Sequence, residues 1–457
     1  MNYSINTMVT GNKLIAVIKL VEATSKLFPF DATHDANCLP IANVENVQRI
    51  VSLFEKEGMD QIYIMGESIS NHVRSALYSK EVGYINTMEE LNEAFDFVLL
   101  VNGNEYFGSE DLTELLNNFK EQPTNYSMVK PLDRFNRAYE NFGVKVKDDV
   151  IEKIYGHARD HYVDYLLGNV GIYSKNIFMN QESTSPGFKA IVSGGMPPQK
   201  LYFENVLNTS IERGESIRVD VAKQPLLTID SPWTLFEANT HEAKHLTNQL
   251  KSNEGEYVTD GTCLIDGHLK VGKNVKIEKN VIIKGNCIIG DHVSISSGAI
   301  IEGGCVIGDH SIINDYAKLG KNTVIGASCK IGYNAELVGV FMEGVSAVHN
   351  CEMYGEIGRY VDIAAGCIAA ILRFDDQVSQ VTHEGKRYSS LFTNAVFMGD
   401  YTRCGINNTF YPGLRIGAYC ALGPGAIVET DVPHNSLLQV SQPKELKPWH
   451  SGRYGWK

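Results

Sequence analysis

Nine cysteines are the side chains in this 457-residue chain with the most obvious capacity for metal binding or cross-linking. A thiolate metal centre needs four convergent ligands, commonly supplied in C-x-x-C pairs. Here the cysteines are scattered, odd in number and lack any C-x-x-C pair. That pattern argues for reduced thiols in a cytoplasm, with neither a disulfide framework nor a metal site. Six of them, Cys287, Cys305, Cys329, Cys367, Cys404 and Cys420, read as small apolar core fillers. Charge narrows the chemistry further. Forty-one Lys and Arg against 54 Asp and Glu give a net charge of −13. An acidic chain without a basic run is a poor candidate for wrapping nucleic acid. No window supplies the roughly 18–20 uncharged apolar residues of a membrane span, and Met1–Thr10 lacks the pattern of a secretory signal.

The elements that must position any reactive group follow from a repeat. Steps of six from Val271 land on Ile277, Ile283, Ile289, Ile295, Ile301, Ile307, Ile313, Leu319, Ile325, Ile331 and Leu337, all aliphatic. Glycine often follows, as at Gly272, Gly290, Gly308, Gly320, Gly326 and Gly332. A period of six suits neither a helix nor a simple alternating strand. It suits a chain that turns a corner after each short strand, three sides to a triangular coil, with the aliphatic column inside. Cys287 and Cys305, one coil apart, are expected to stack. The register breaks after Leu337, since Glu343 and His349 occupy the next two steps. It returns at Ile357 and Ile363, and again from Met398 through Cys404, Phe410, Ile416 and Leu422 to Val428. The polar stretch 374–393 between them reads as a loop ejected from a corner, and such insertions cluster on binding faces.

Residues 1–250 alternate strand-like runs (Leu14–Leu20, Gln61–Met65, Phe97–Val101, Val170–Tyr173) with helical patterns (Val47–Glu57, Leu112–Lys120). That implies an α/β domain with a mostly parallel sheet. The length allows two or three domains. The polar, glycine-containing stretch after residue 250 sets the boundary, giving domains 1–250 and 251–440 and a tail 441–457.

Several segments carry a family resemblance. Leu39-Pro40-Ile41-Ala42, Glu140-Asn141-Phe142-Gly143-Val144, Gly168-Asn169-Val170-Gly171-Ile172-Tyr173 and Ile229-Asp230-Ser231-Pro232-Trp233 appear in the order of the sugar-1-phosphate nucleotidyltransferases. In particular the chain resembles the two-domain members that add a β-helix acetyltransferase. The resemblance implies a Rossmann-like nucleotidyltransferase lobe followed by a left-handed parallel β-helix. It also implies that Asn169 contacts a sugar and that Asp230 helps hold magnesium.

The departures fall on the phosphate chemistry. Nucleotidyl transfer needs a backbone cradle, cations and metal-holding carboxylates. No glycine occurs between Asn12 and Glu57, and Val21-Glu22-Ala23-Thr24-Ser25-Lys26 stands where the family has a glycine-rich loop. Lys26 reads as a solvated surface lysine. The family's proline-lysine pair aligns with Asp35-Ala36, and its first metal aspartate with Asn104. The lobe is therefore expected to have lost nucleotidyl transfer, with magnesium required only if that activity survives.

For the C-terminal half the resemblance implies a trimer (or a dimer of trimers) with an acyl-CoA, typically acetyl-CoA, in the groove between subunits. A histidine of near-neutral pKa would deprotonate the attacking amine or hydroxyl. His349, in Val348-His349-Asn350-Cys351, aligns with the family's histidine, and Tyr354 stands near its tyrosine. Ala370-Ile371-Leu372-Arg373-Phe374-Asp375 resembles the family's Ala-Asn-Leu-Arg-Phe-Asp, so Arg373 and Asp375 are retained while the asparagine becomes Ile371. Two loop lysines become Gln377 and Gln380, whereas Lys386 and Arg387 remain. Gly405, Asn407, Gly423 and Gly425 match the late coils that hold the pantetheine arm. The expected function is acyl transfer to a sugar phosphate, nucleotide sugar or similar small polar acceptor. Working nucleotidyl transfer and a non-catalytic scaffold are the alternatives.

Overall fold

A computed structural model describes residues 8–9, 11–91, 95–133, 137–138, 140–179, 202–449 and 451–453. In the N-terminal lobe, the apolar strand Asn12–Lys19 pairs in parallel with Phe97–Asn102 on one side and Ile62–Met65 on the other. Gly83–Ile85 continues that parallel edge. Beyond Phe97–Asn102 the sheet changes character. Tyr165–Ser174 is antiparallel to both Phe97–Asn102 and Asn125–Lys130, and the hairpin Phe142–Lys147 with Val150–Gly156 extends the far edge. The sheet is therefore mixed rather than mostly parallel. Within it the hairpin strands are joined by a tight turn with positive φ at Asp148 and Asp149, not by a helical crossover.

The helices cover the sheet through one apolar stripe each. Asn46–Lys56 buries Val47, Ile50, Val51 and Phe54, and Ser109–Glu121 buries Leu112, Leu115, Leu116 and Phe119. The last helix of the lobe, Pro232–Asn248, starts at a capping box of Ser231 and Thr234 with Pro232 in its first turn. Among the described residues no helix is long and apolar enough to cross a membrane.

From Tyr257 onward the chain is a three-sided parallel coil. One inward column stacks Ile277, Ile295, Ile313, Ile331, Ala347, Ile363, Cys404 and Leu422. The buried column residues of all three sides form one core, with Cys287, Cys305, Cys329, Cys351, Cys367, Cys404 and Cys420 inside it. No disulfide forms among the described residues, and the cysteines are free.

The register break has a simple geometric cause. Coil-to-coil steps are eighteen residues up to Ile331, then sixteen from Ile331 to Ala347 and from Ala347 to Ile363. Two residues are lost because Glu336–Phe341 and Glu352–Ile357 run as single six-residue strands through a corner that elsewhere needs a turn. Gly339 lies at that corner with φ of 118°. A Cβ there would run into the Gly355 carbonyl and lie 2.8 Å from the Phe236 ring. The flattened corner thus receives the helix Pro232–Asn248.

Next comes the insertion. The step from Ile363 to Cys404, like that from Ile357 to Met398, is forty-one residues, so a segment is expelled between Ala369 and Val396. It carries the hairpin Val381–His383 and Lys386–Tyr388, turned at Glu384 and Gly385.

One side of the coil is covered by the N-terminal lobe. Outward residues Val306, Val324, Val340 and Phe397 are buried against Leu27, Phe30, Leu39, Ile41, Trp233 and Phe236. Polar contacts line the same junction. Asn43 donates to the Ile325 carbonyl at 2.8 Å, and Asn239 donates to Glu356 at 3.2 Å. His34 Nε2 lies 3.0 Å from Asp400 Oδ1, while Arg359 Nε donates to Asp400 Oδ2 at 2.9 Å.

Candidate functional site

Two regions can bear chemistry, one in each half. In the N-terminal lobe a cavity of about 200 Å³ is lined by Lys19, Asn102, Gly168, Asn169, Tyr173 and Glu204. Asn169 comes from the long strand Tyr165–Ser174, where a register shift with Asn125–Lys130 separates Leu167 from Gly171. Its Nδ2 donates to Glu105 Oε2 at 2.9 Å and to Thr228 Oγ1 at 3.1 Å. Thr228 donates to the same carboxylate at 2.9 Å. Glu105 is buried, and burial pushes its carboxyl above the ordinary range against the pull of Asn169, Lys130 and Thr228. Sequence reasoning missed Glu105, although it directly follows Asn104.

Asp230 is paired with a cation within its own chain. Lys26 Nζ lies 3.1 and 2.9 Å from its two carboxylate oxygens. The same ammonium lies 4.7 Å from the Tyr388 ring centroid and 5.8 Å from that of Trp233. Lys26 is therefore a structural cation rather than a solvated surface lysine, because the inserted hairpin folds back over it. Ser25 Oγ and His383 Nε2, 3.3 Å apart, add a second tie. Asn104 turns its amide nitrogen to the Ile229 carbonyl, 3.2 Å away. Magnesium demands near-octahedral oxygen ligands and is usually anchored by carboxylates. One amide oxygen and one carboxylate already neutralised by an ammonium do not fit that demand.

The second region is an edge of the coil that the N-terminal lobe leaves uncovered. His349 follows Ala347 by two residues, as Ile406 follows Cys404 and Pro424 follows Leu422. His349, Gly405, Asn407, Gly423 and Gly425 therefore share one corner column. Adjacent coils sit about 4.8 Å apart, so His349 and Gly405 are separated by about 10 Å along the edge. His349 is exposed. Left-handed turn residues recur down the column, with φ of 58° at Asn350, 72° at Gly366, 55° at Asn407 and 72° at Gly425. A Cβ on Gly405 would lie 2.6 Å from the Pro424 nitrogen, so coil stacking alone requires that glycine. Gly425 faces open space apart from Gln442 at 3.8 Å.

The remaining residues singled out in the sequence lie elsewhere within one chain. Tyr354 is half-buried at the flattened corner, edge-on to Phe236 with ring centroids 5.8 Å apart. Arg373 and Asp375 form an exposed bidentate pair at 2.9 and 2.8 Å at the start of the insertion. That pairing holds the Asp375 carboxyl down at about 2. Lys386 and Arg387 are exposed on the hairpin that clasps the N-terminal lobe. The structure thus groups the glycine column with His349, and separates both from Tyr354 and the insertion.

The chain is similar to several known proteins. The bacterial transferase hexapeptide (six repeats) model matches residues 268–303 and 304–339. A protein from Methanocaldococcus jannaschii named "Bifunctional protein GlmU" is 28% identical over 452 residues, covering 93% of this chain and 97% of its own length. A "Bifunctional sugar-1-phosphate nucleotidylyltransferase/acetyltransferase" from Sulfurisphaera tokodaii is 40% identical over 168 residues, covering 36% of this chain and 42% of that protein. Among solved structures, a putative glucose-1-phosphate thymidylyltransferase from Bacillus anthracis is 14% identical, covers 53% of this chain and 98% of that chain, and has a TM-score of 0.41.

The fold is therefore a left-handed parallel β-helix, of which residues 268–303 and 304–339 match the hexapeptide model, preceded by a nucleotidyltransferase-like α/β lobe. With that fold, the chain is similar over 93% of its length to proteins named "Bifunctional protein GlmU", at 28% identity.

Proposed function

We propose that this protein is an acyltransferase that uses an acyl-CoA, in the first instance acetyl-CoA, to acylate a sugar phosphate, nucleotide sugar or related polar acceptor. The name of the Sulfurisphaera tokodaii relative joins acetyl transfer to sugar-1-phosphate chemistry, which suggests the substrate class. The single observation carrying the reading is the uncovered coil edge on which His349 shares a column with Gly405, Asn407, Gly423 and Gly425. When bound, the thioester supplies the activated acyl group. His349 takes the proton from the attacking amine or hydroxyl, and the glycine column with Asn407 forms one wall for the pantetheine arm.

A single chain supplies only one wall. Tyr354, Arg373 and Asp375 lie on another edge, so they join His349 only across a seam between copies. Exposed Ile368, Ile371, Leu372, Phe374 and Ile427 are the apolar surface such a seam would cover, and we propose a homotrimer on that ground.

In the same reading the N-terminal lobe does not transfer nucleotides. The Lys26–Asp230 pair beneath the hairpin supports this, because the carboxylate already has its counter-charge. Asn169 would still hold a sugar. Turnover of acetyl-CoA against a panel of amino- and hydroxy-sugar phosphates tests the first claim. Absence of thiol release with every acceptor overturns it. Magnesium-dependent pyrophosphate release from a nucleoside triphosphate and a sugar 1-phosphate would instead restore nucleotidyl transfer.

A further inference from the structure

Where the two lobes meet, Cys38, Glu45 and His72 offer a sulfur, a carboxylate oxygen and an imidazole nitrogen all within 4.8 Å of one another. We propose that these three side chains form a transition-metal site of the zinc class at the lobe junction, with its fourth position open to the adjoining cavity.

The three come from separate elements that the fold brings together. Cys38 precedes the short strand Pro40–Ile41, Glu45 caps the helix Asn46–Lys56, and His72 lies in the helix Asn71–Ala76. A second carboxylate fixes their relation. Asp35 Oδ2 accepts from the Ser70 hydroxyl at 2.7 Å, and Asp35 Oδ1 accepts from Asn37 N at 2.9 Å and Asn37 Nδ2 at 2.7 Å. Ser70 also caps the helix that carries His72. The loop bearing Cys38 is therefore tied to that helix without using any proposed ligand.

An ion pair alone explains two of the three groups. His72 Nε2 and Glu45 Oε1 are 2.6 Å apart, a satisfied contact in its own right. Cys38 packs in the lobe's apolar core beside residues such as Ala16, Val47 and Ile50, with its sulfur within reach of both partners. That thiol is 1% exposed and faces the Asp35 and Glu45 carboxylates. It is the only cysteine outside the coil half of the chain. A divalent ion among the sulfur, the carboxylate and the imidazole would face the negative charge of Glu45. Mixed sulfur, nitrogen and oxygen ligation suits zinc, and three protein ligands leave a position for water or another oxygen donor. The cavity beside it, about 290 Å³, is lined by Cys38 and Glu45 together with His34, Asn43, Asn239 and Arg359. Residues of both lobes thus border the open position. This inference is independent of the acyl-transfer reading.

The test uses the full chain, stripped with a chelator and titrated with zinc or cobalt(II). Bound metal should approach one ion per chain, and cobalt should give a thiolate-to-metal charge-transfer band. Cys38→Ala should abolish that band. His72→Gln and Glu45→Gln, at partly exposed positions, should weaken binding by roughly tenfold or more while circular dichroism stays unchanged. They carry the test if Cys38→Ala does not fold. Failure of the wild-type chain to retain metal, a band that survives Cys38→Ala, or unchanged affinity in both partly exposed variants overturns the proposal.

Discussion

At the scale of single residues, exposure separates reactive groups from structural ones. His349 stands in solvent at a turn, so replacing it removes little packing. If it is the general base, His349→Ala lowers acyl transfer by about 10²–10⁴-fold with an unchanged unfolding temperature. A rate that does not fall removes it from the reaction. Glu356 is the opposite case. It is fully buried, accepts one hydrogen bond from Asn239, and its other carboxylate oxygen has no partner among the described residues. Burial raises its pKa well above the usual carboxylate range, so the folded protein holds it neutral while the unfolded chain ionises near pH 4.3. The cost of keeping it neutral is absent below that pH and grows as pH rises above it. Glu356→Gln should therefore stabilise the protein at pH 7 and change little at pH 4, read by thermal unfolding at both. Equal effects at the two values would contradict a neutral Glu356.

At the scale of elements, the flattened corner links the repeat to the rest of the molecule. Shortening two coils from eighteen to sixteen residues leaves the inward columns intact and puts Gly339 at the corner that faces Phe236. Gly339→Ala introduces a Cβ at φ of 118°, against the Gly355 carbonyl and the Phe236 ring. It should destabilise by more than about 1 kcal/mol, with increased protease sensitivity between the lobes. Gly425→Ala meets only Gln442 at 3.8 Å and serves as the comparison, since its φ of 72° is also positive. Equal losses in the two variants would assign the effect to backbone strain alone. The inserted hairpin teaches a related lesson. Its polar composition was legible as an expelled loop, but its position over Lys26, Trp233 and Asp230 depends on contacts more than 140 residues away in sequence.

At the scale of the whole molecule, the lobes are joined by an apolar face and a buried charge cluster. Asp400 is fully buried between His34 and Arg359. Burial raises its pKa, but the His34 and Arg359 contacts outweigh that and leave it below the ordinary value. A depressed carboxylate contributes stability above its unfolded pKa, near 3.9, and loses it as pH falls through the lower folded value. The wild-type advantage over Asp400→Asn should therefore be present at neutral pH, at about 3–5 kcal/mol for breaking a buried pair, and shrink in strong acid. Thermal unfolding of both proteins across pH checks this. An advantage constant down to pH 2 would remove Asp400 ionisation as its source.

What was readable from residues alone is what repeats or lacks. The aliphatic ladder from Val271 to Leu337 specifies a coil because each strand can bury its column only against the next. The absence of glycine from Asn12 to Glu57 is equally plain in the sequence. Other features needed the folded chain. The mixed sheet, the Lys26–Asp230 pair, the Asp400 cluster and the meeting of Cys38, Glu45 and His72 join residues with no periodic relation. Their chemistry is set by distance and burial, which exist only once the chain has folded, and for the Asp400 cluster only once the two lobes have docked.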